Sequence, residues 1–331
     1  MGKPRIGIFL RLDEETGLGH WGRCLPLARE LAHAGLRCLI LAPGPSPYLD
    51  RARAAGFEVK LCPAWDGPGF AEAARRLRLR GAVLDFHGIR REQVYALRDL
   101  GLVLLALAVQ DGELDGVQLL ANPTALPLAG VQVLAGAGAA LLDEAGLAPL
   151  VARVQPQEGA VTLALGGSQL AADATPGLAA ALAGCPGLRR LDVFLARPES
   201  LPRRHLVRAH GLDRTRFLHR LIHSSLLLCG YGTSLFEAAR LGVPALVWPL
   251  SEQQARHAAR LHGEGFFQLL DPGPDFAVAL VQQVEGLLID EHRRASLANA
   301  ARRALDGSAA RRVAAAFLAY LGPQPGLDSS P

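Results

Sequence analysis

The feature that most constrains this chain is a unit found in both halves, in which a short apolar strand runs into a glycine turn and then a helix. In the first half, residues 5–10 form the apolar run, and the sequence GLGH at 17–20 precedes a helix. In the second half, the apolar run 161–165 leads into GGS at 166–168. Strands that alternate with helices form parallel, doubly wound sheets. The sequence therefore predicts an α/β protein with two Rossmann-like domains.

Domain boundaries follow from the length and from one polar segment. The chain has 331 residues, which suits two domains of about 100–200 residues each. Residues 151–159, VARVQPQEG, are polar and contain a proline, which is typical of a linker. We therefore expect an N-terminal domain over 1–150 and a C-terminal domain over 160–331 that ends in helices. Two such domains in tandem indicate the GT-B architecture with an interdomain cleft, because parallel sheets bind ligands at the carboxyl ends of their strands.

Charge and hydropathy exclude several classes of protein. The 35 lysines and arginines nearly balance the 31 acidic residues, so the sequence predicts no nucleic-acid partner. The basic run RRLRLR at 75–80 falls largely on a predicted helix, 70–79, and indicates a solvated helix face. No apolar run reaches the roughly 18–20 residues that a membrane span requires, and the first apolar stretch is too short for a signal peptide. We therefore expect a cytoplasmic protein without a transmembrane segment.

The cysteines argue against both a metal cluster and a disulfide framework. They are odd in number, and no two of them have C-x-x-C spacing. The expected role is that of small buried thiols. The five residues are Cys24, Cys38, Cys62, Cys185 and Cys229.

The first glycine turn carries the residue that the sequence favours for catalysis. Gly17 and Gly19 allow backbone N–H groups to approach a ligand closely, and the start of a helix favours anions. His20 follows at the start of that helix, where an imidazole suits general-base chemistry on a water or a hydroxyl group. The alternative is a polar or capping histidine in a turn. The glycines at 17, 19 and 22 have the spacing of the dinucleotide-binding pattern G-x-G-x-x-G, but this spacing alone does not establish a dinucleotide site.

Three features of the second half suit a nucleotide sugar. The turn at 166–168 has two glycines and a hydroxyl group that can cradle a diphosphate. The segment GYGTS at 230–234 has the same character, and the carboxylate of Glu237 in the next helix can accept both hydroxyl groups of a ribose. Gln253 and Gln254 offer amides suited to sugar hydroxyl groups. The alternatives are ordinary strand-to-helix turns, a first-turn glutamate stabilised by the helix dipole, and a solvated helix start.

Taken in order, these segments resemble the UDP-sugar hydrolase family of pseudaminic-acid biosynthesis, together with related spore-coat polysaccharide proteins. The family pattern is R-x-D, I-G-x-G-H, R-C, L-A, D-x-Y, G-G-S-D, G-x-G-T, E, L-G-x-P and N-Q. Its counterparts here are, in chain order, Arg11 with Asp13, 17–20, Arg23 with Cys24, 27–28, 85–87, 166–169, 230–233, Glu237, 241–244 and 253–254. The C-terminal half is also similar to lipid-linked N-acetylglucosaminyl transferases of cell-wall synthesis.

The resemblance implies a GT-B fold and a nucleotide-diphosphate sugar as substrate, with no metal and no other cofactor. The C-terminal domain would hold the nucleotide, with Glu237 on the ribose and the glycine turns near the diphosphate. His20 would act as the base on a water that attacks the anomeric carbon, and the nucleoside diphosphate would leave with inversion. The implied substrate-binding residues are Arg11, Asp13, Gly17, Gly19, Arg23, Asp85, His87, Gly166, Gly167, Ser168, Gly230, Gly232, Thr233, Ser234, Glu237, Gln253 and Gln254.

Three positions depart from the family pattern: His87 replaces its tyrosine, Gln169 its aspartate and Gln253 its asparagine. All three are expected to line the sugar pocket, so they bear on the choice of sugar. The main prediction is a nucleotide-sugar hydrolase that acts on a UDP-sugar. The first alternative is a GT-B glycosyltransferase that uses a sugar or a lipid-linked acceptor. The second alternative is a non-catalytic protein that binds a nucleotide sugar.

Overall fold

A computed structural model describes residues 3–12, 19–107, 112–201, 205–271 and 275–322. The chain divides into two compact units, one formed by Met1–Asp143 with Ser308–Pro331 and the other by Glu144–Gly307. Each unit contains one parallel β-sheet and its own helices. The predicted α/β class with two parallel sheets is confirmed.

The first unit has seven parallel strands in the part of the chain that the structure describes, in the order β3-β2-β1-β4-β5-β6-β7. These strands are β1 Arg5–Leu10, β2 Arg37–Ala42, β3 Glu58–Leu61, β4 Leu79–Asp85, β5 Val103–Ala106, β6 Leu119–Ala121 and β7 Gln132–Leu134. Successive residues of a strand point to opposite faces, so Ile6 and Ile8 of β1 join one apolar core while Phe9 joins the other. Both faces of β1 are therefore buried from Ile6 to Leu10, which explains why these residues are apolar.

Within the described residues, the helices that connect the first five strands are α1 Gly19–His33, α2 Leu49–Ala54, α3 Gly67–Leu77 and α4 Arg91–Arg98. Helix α3 begins three residues before the predicted helix 70–79 and ends two residues before it. It ends because Arg78 adopts the left-handed conformation, with φ of 52°, and Arg80 already lies in β4. The basic run at 75–80 therefore spans the end of a helix and the start of a strand, and the prediction of a single helix face for it was wrong.

The second unit has six parallel strands within its described residues, in the order β10-β9-β8-β11-β12-β13. They are β8 Gln157–Ala164, β9 Arg190–Phe194, β10 Val207–His210, β11 Ser224–Cys229, β12 Ala245–Val247 and β13 Gln268–Leu269. Its helices are α5 Glu144–Val151, α6 Gln169–Leu182, α7 Arg214–Leu221, α8 Thr233–Leu241, α9 Glu252–His262, α10 Phe276–Ile289 and α11 Glu291–Ala304.

The segment 151–159 is not the linker that its composition predicts. Val151 is the last residue of α5, and residues 157–159 form the beginning of β8. Gln157 and Glu158 are exposed although β8 lies in the middle of its sheet. Here polarity marks the solvent-exposed end of a core strand, which composition alone does not distinguish from a linker.

The last helix, α12 Ala309–Leu321, belongs to the first unit, although the sequence analysis placed it in a domain over 160–331. Its Val313 and Phe317 share an apolar core with Leu27 of α1. A Cβ atom at Gly81 of β4 would lie only 2.9 Å from Cζ of Phe317, so glycine lets the ring pack closely on the strand. An amphipathic pattern shows that a helix needs an apolar partner, but it does not identify which sheet supplies it.

The cysteines behave as predicted, since all five are buried free thiols. Over the described ranges, no group of three or more His, Cys, Asp or Glu side chains is arranged to hold a metal ion. Among the helices of those ranges, none is both long enough and apolar enough to cross a bilayer.

Candidate functional site

The carboxyl end of β4 carries a fully buried carboxylate. Asp85 is the last residue of β4, and its partner in register is Leu10 at the end of the neighbouring strand β1. Helix α1 follows β1 in the chain and places His20, Arg23 and Cys24 near this point. Residues three and four positions apart lie on the same face of a helix. The sheet and the first turns of α1 therefore bring three side chains to one carboxylate.

These three side chains converge on Asp85 at hydrogen-bond distance. Nδ1 of His20 lies 3.0 Å from Oδ1. Arg23 donates from Nη2 to Oδ1 at 2.6 Å and from Nε to Oδ2 at 2.9 Å, and the thiol of Cys24 donates to Oδ2 at 3.1 Å. His20 is 3 % exposed. The histidine is thus held in one orientation by a buried anion, which distinguishes it from a polar turn histidine.

The charge of Asp85 determines which nitrogen of His20 carries a proton. Burial alone would raise the pKa of Asp85, but the charge of Arg23 and the interaction with His20 outweigh burial and hold this pKa well below its ordinary value. An ionised carboxylate only accepts hydrogen bonds, so Nδ1 of His20 is the donor and the lone pair of the neutral ring lies on Nε2. Nη2 of Arg23 also lies 2.8 Å from Nδ1. A protonated Nδ1 cannot accept that hydrogen, and the charge-assisted bonds to Asp85 are the stronger ones.

Cys24 serves this cluster as a hydrogen-bond donor. Burial, and after it the negative charge of Asp85, raise the pKa of the Cys24 thiol well above its ordinary value. Because the thiolate is the reactive form of cysteine, a thiol in this state is not a nucleophile. Cys24 is a site residue that the motifs do not predict, although its spacing of four from His20 places both on one helix face.

Among the other predicted residues of the first unit, His87 contacts His20. The rings of His87 and His20 are 5.0 Å apart and nearly perpendicular, at 87°, and His87 is exposed. Gly19 is the first residue of α1 and Arg11 follows β1, both of them exposed. Two further predicted residues lie outside the described part of the chain, Asp13 and Gly17.

Replacing Asp85 by asparagine is expected to lower the free energy of unfolding at pH 7 by about 1.5–3 kcal/mol, because charge-assisted bonds to a buried carboxylate are lost. A carboxyl whose pKa is lower in the folded state stabilises the fold above its unfolded pKa, about 3.9. That stabilisation is lost as the pH falls toward the folded value. The difference between wild type and Asp85→Asn should therefore be largest near neutral pH and shrink below about pH 4.

Chemical denaturation at several pH values measures this difference. Asp99→Asn is the matched control, because the Asp99 side chain is 65 % exposed and pairs only at the surface with Arg98. Its effect should be small at every pH. An Asp85→Asn difference that stays constant from pH 7 to pH 3 would contradict the assigned charge of Asp85.

In the second unit, two predicted glycine turns adjoin each other. Ala164 of β8 pairs in register with Cys229 of β11, so the turns that follow these strands emerge side by side. A Cβ atom at Gly230 would lie 3.3 Å from the carbonyl oxygen of Leu165, which shows how closely the turns pack. Gly166 has φ of 108°, a conformation that requires glycine. The two turns thus form one surface of backbone at the carboxyl edge of the sheet.

Gln254 connects this surface to the loop that follows β12. Its Oε1 accepts hydrogen bonds from the backbone N–H of Tyr231 at 3.2 Å and of Leu250 at 3.0 Å. Tyr231 lies in the turn after β11, and Leu250 lies after β12. The amide oxygen of Gln254 therefore braces two turns, a role that the sequence analysis did not foresee. Gln253 lies beside it in the first turn of α9 and is half-buried.

The hydroxyl and amide groups of these turns partly cap their own helices. Ser168 accepts a hydrogen bond from the backbone N–H of Ala171 and so caps α6. Gln169 donates from Nε2 to Oδ1 of Asp173 at 2.7 Å within the same helix. Helix α8 begins after Gly232, with Thr233 and Ser234 as its first residues. Since glycine supplies no side-chain cap, the N-terminus of α8 has the character of an anion-binding position.

Glu237 is buried in α8, at 4 % exposure. Its Oε1 accepts a hydrogen bond from Nε of Arg214 in α7 at 2.7 Å. Arg214 is not predictable from the motifs, because it is separated from Glu237 by 23 positions and no local pattern links the two residues. The predicted residues of the second unit therefore fall into two groups, the braced glycine turns and the ion pair of Glu237.

Comparison with known proteins gives structural relatives only. No protein-family model matches the chain, and no curated protein matches its sequence. MurG from Acinetobacter baumannii matches with a TM-score of 0.69 at 15 % identity, over 96 % of this chain and 99 % of that one. The spinosyn forosaminyltransferase SpnP matches with a TM-score of 0.68 at 16 % identity, over 97 % of this chain and 100 % of that one. The calicheamicin glycosyltransferase CalG4 matches with a TM-score of 0.64 at 18 % identity, over 98 % of this chain and 100 % of that one.

These structures correct the main functional prediction. SpnP and CalG4 are named as glycosyltransferases, so the matches contradict the hydrolase and agree with the first alternative. The UDP-sugar hydrolase family finds no support among them. The motifs do not separate the two reactions. In hydrolysis a water attacks and in transfer an acceptor hydroxyl group attacks, and a general base can activate either one. What the comparison establishes is the architecture: with two parallel-sheet units matched over nearly its whole length, the chain has the GT-B fold.

Proposed function

We propose that this protein is a glycosyltransferase that moves a sugar from a nucleotide-diphosphate donor to a hydroxyl group of an acceptor. The observation that carries the proposal is the buried pair of His20 and Asp85, in which Nδ1 of the histidine faces the carboxylate at 3.0 Å. This arrangement leaves Nε2 as the nitrogen that can accept a proton. A neutral imidazole held in that tautomer suits a general base.

The reaction follows from these roles. Nε2 of His20 takes the proton of the acceptor hydroxyl as its oxygen attacks the anomeric carbon of the donor. A new bond forms between that oxygen and the anomeric carbon, and the bond from the anomeric carbon to the phosphate oxygen breaks. The nucleoside diphosphate leaves with the electron pair. Because this is a single displacement, the anomeric configuration inverts. Asp85 stabilises the imidazolium that forms, as a buried anion beside Nδ1.

The second unit has the groups needed to bind the donor. The turns at 166–168 and 230–232 and the N-terminus of α8 present backbone N–H groups of the kind that hold phosphate oxygens. Glu237 suits the ribose hydroxyl groups, since an ionised carboxylate accepts two hydrogen bonds. Gln253 and the amide nitrogen of Gln254 suit sugar hydroxyl groups. The donor is therefore a nucleotide-diphosphate sugar, and UDP is the nucleotide that we expect.

The residues around His20 suit recognition of the acceptor or of the sugar. His87 is exposed and lies edge-on to His20, and Arg11 is exposed beyond β1. We expect a sugar or a lipid-linked sugar as acceptor, because both present a hydroxyl group for attack. Asp13 belongs to the same proposed set.

A donor screen with and without acceptors tests the proposal. UDP-, CDP-, GDP- and dTDP-linked glucose and N-acetylglucosamine are incubated alone, with monosaccharides, or with a short-chain polyprenyl-diphosphate-linked amino sugar. Nucleoside diphosphate release is measured together with the mass of the glycoside formed. We expect release from one class of donor only when an acceptor is present, with one equivalent of product. Equal release without any acceptor would mean hydrolysis, and binding without turnover across the panel would mean a non-catalytic protein.

A further inference from the structure

The carboxylate of Glu237 is held by a partner whose own position is constrained. The Glu237 side chain is 6 % exposed, whereas that of Arg214 is 44 % exposed. Arg214 is the first residue of α7, and its Nε donates to Oε1 of Glu237 at 2.7 Å. A carboxylate buried this deeply needs a cationic or hydrogen-bonding partner to remain ionised. Arg214 provides one from a different helix, so it also affects the direction in which the carboxylate points.

A glycine of a third helix leaves room for the guanidinium. A Cβ atom at Gly146 of α5 would lie 2.9 Å from Nη1 of Arg214 and 3.6 Å from Nη2. The guanidinium therefore passes directly over Gly146, and any larger residue there would push it aside. Arg214 is thus confined between Gly146 on one side and Glu237 on the other.

A second ion pair fixes the helix that carries this glycine. Arg240 of α8 donates from Nε to Oε1 of Glu144 at 2.9 Å and from Nη2 to Oε2 at 2.9 Å. Glu144 is the first residue of α5, two positions before Gly146. Arg240 follows Glu237 by three positions, so the two lie on neighbouring positions of one face of α8. One face of α8 therefore aligns both helices that determine where the Arg214 guanidinium lies.

We infer that Arg214 is a positioning residue that sets the preference of this protein for ribonucleoside diphosphates over their deoxy counterparts. The inference rests on the proposed function, in which Glu237 binds the ribose hydroxyl groups. Arg214, packed over Gly146, holds the carboxylate in the orientation that accepts those hydroxyl groups. A carboxylate without this partner can turn away or bind water instead. The ligand class that the pair selects is a nucleoside diphosphate with intact 2′- and 3′-hydroxyl groups.

Calorimetry with two nucleotides tests the inference in the full-length protein. The probes are UDP and 2′,3′-dideoxy-UDP, which differ only in the groups that Glu237 is proposed to bind. Wild type is expected to bind UDP about 10–100-fold more tightly than the analogue, as charge-assisted hydrogen bonds require. Arg214→Ala should bring this ratio of affinities close to one, because the affinity for UDP falls while the affinity for the analogue stays unchanged. Arg214→Lys should restore part of the preference.

A second variant moves the guanidinium without removing its charge. Gly146→Ala places a methyl group where the guanidinium now lies, and alanine is the better helix former. It should therefore fold and still lower the UDP preference several-fold. Gly177→Ala in α6 is the matched control, because a Cβ atom there meets nothing within 4 Å. The control should keep the wild-type preference.

Each outcome distinguishes this inference from the proposed function. If wild type binds both nucleotides equally, or neither, the ribose role of Glu237 is wrong and the inference fails with it. If wild type prefers UDP and the Arg214 and Gly146 variants keep that preference, only the inference is wrong. If Arg214→Ala lowers the affinity for both nucleotides to the same extent, Arg214 acts through its charge on the diphosphate and does not position Glu237. Should Arg214→Ala not fold, Arg214→Lys and Gly146→Ala decide the question.

Discussion

Replacing His20 by asparagine is expected to lower the rate of glycosyl transfer by about 10²–10⁴-fold, the usual contribution of a general base. Asparagine keeps a polar group near Asp85 but cannot take a proton from the acceptor. UDP affinity should stay within a factor of about two, because the nucleotide is proposed to bind residues of the other unit. Single-turnover rates with a fixed donor and acceptor, combined with calorimetry for UDP, separate the two effects.

The control for this prediction is another histidine of the same helix. His33→Asn changes an exposed residue in the last turn of α1 and should leave both rate and affinity unchanged. Asp85→Asn should also slow transfer, since an amide can donate to Nδ1 and so favour the tautomer whose Nε2 is already protonated. A folded His20→Asn protein with the wild-type rate would remove His20 from the mechanism.

Replacing Asp192 by alanine is expected to lower the free energy of unfolding of the second unit by about 3–5 kcal/mol, because a buried ion pair loses one partner. Asp192 lies in β9 without exposed surface. Its Oδ1 is 2.8 Å from Nε2 of His210 and 3.7 Å from Nε of Arg220, and its Oδ2 is 2.8 Å from Nε of Arg190. The contact with Arg190 is an ion pair without the alignment of a hydrogen bond. Removing the carboxylate leaves these groups without their shared anion.

Denaturant unfolding of the variant measures this loss. The matched control is Glu158→Ala, which removes a carboxylate of the same sheet whose side chain is 74 % exposed in its pair with Arg189. Surface pairs of this kind contribute little, so the control should unfold close to wild type. UDP binding by Asp192→Ala at a temperature where it remains folded should be normal. If both variants have equal stability, the Asp192 cluster is not the structural element that its burial indicates.

Much of the fold could be predicted because strands buried on both faces are apolar throughout and are followed by glycine. This signal located β1 and the second half of β8, together with the glycine turn at 166–168. It fails where a core strand begins with exposed polar residues, as β8 does at Gln157 and Glu158. It also fails for α12, because a helical pattern does not show which sheet the helix packs against. The left-handed residue Arg78 was missed because arginine rarely adopts that conformation.

The candidate site was predictable to the extent that its residues lie close together in sequence. His20, Arg23 and Asp85 each stand in a motif of the family pattern, and Cys24 shares the helix face of His20. The joining of Asp85 to His20 depends on the order of strands, in which β4 lies beside β1. Arg214 and the bracing role of Gln254 depend on packing between elements, and they leave no local pattern. The choice between water and an acceptor depends on what enters the site, which the motifs do not encode.

The packing of α12 has a consequence for the order in which the chain folds during synthesis. Helix α12 completes the apolar core of the first unit with Val313 and Phe317, yet it is made after the whole of the second unit. Domains usually fold from the N-terminus as they leave the ribosome. Here residues up to 307 suffice for the second unit, whereas the first cannot close its core until residues 309–321 have emerged. The unit that is translated first is therefore the one that finishes folding last, and a chain that stops before residue 309 would leave the apolar side of α1 exposed.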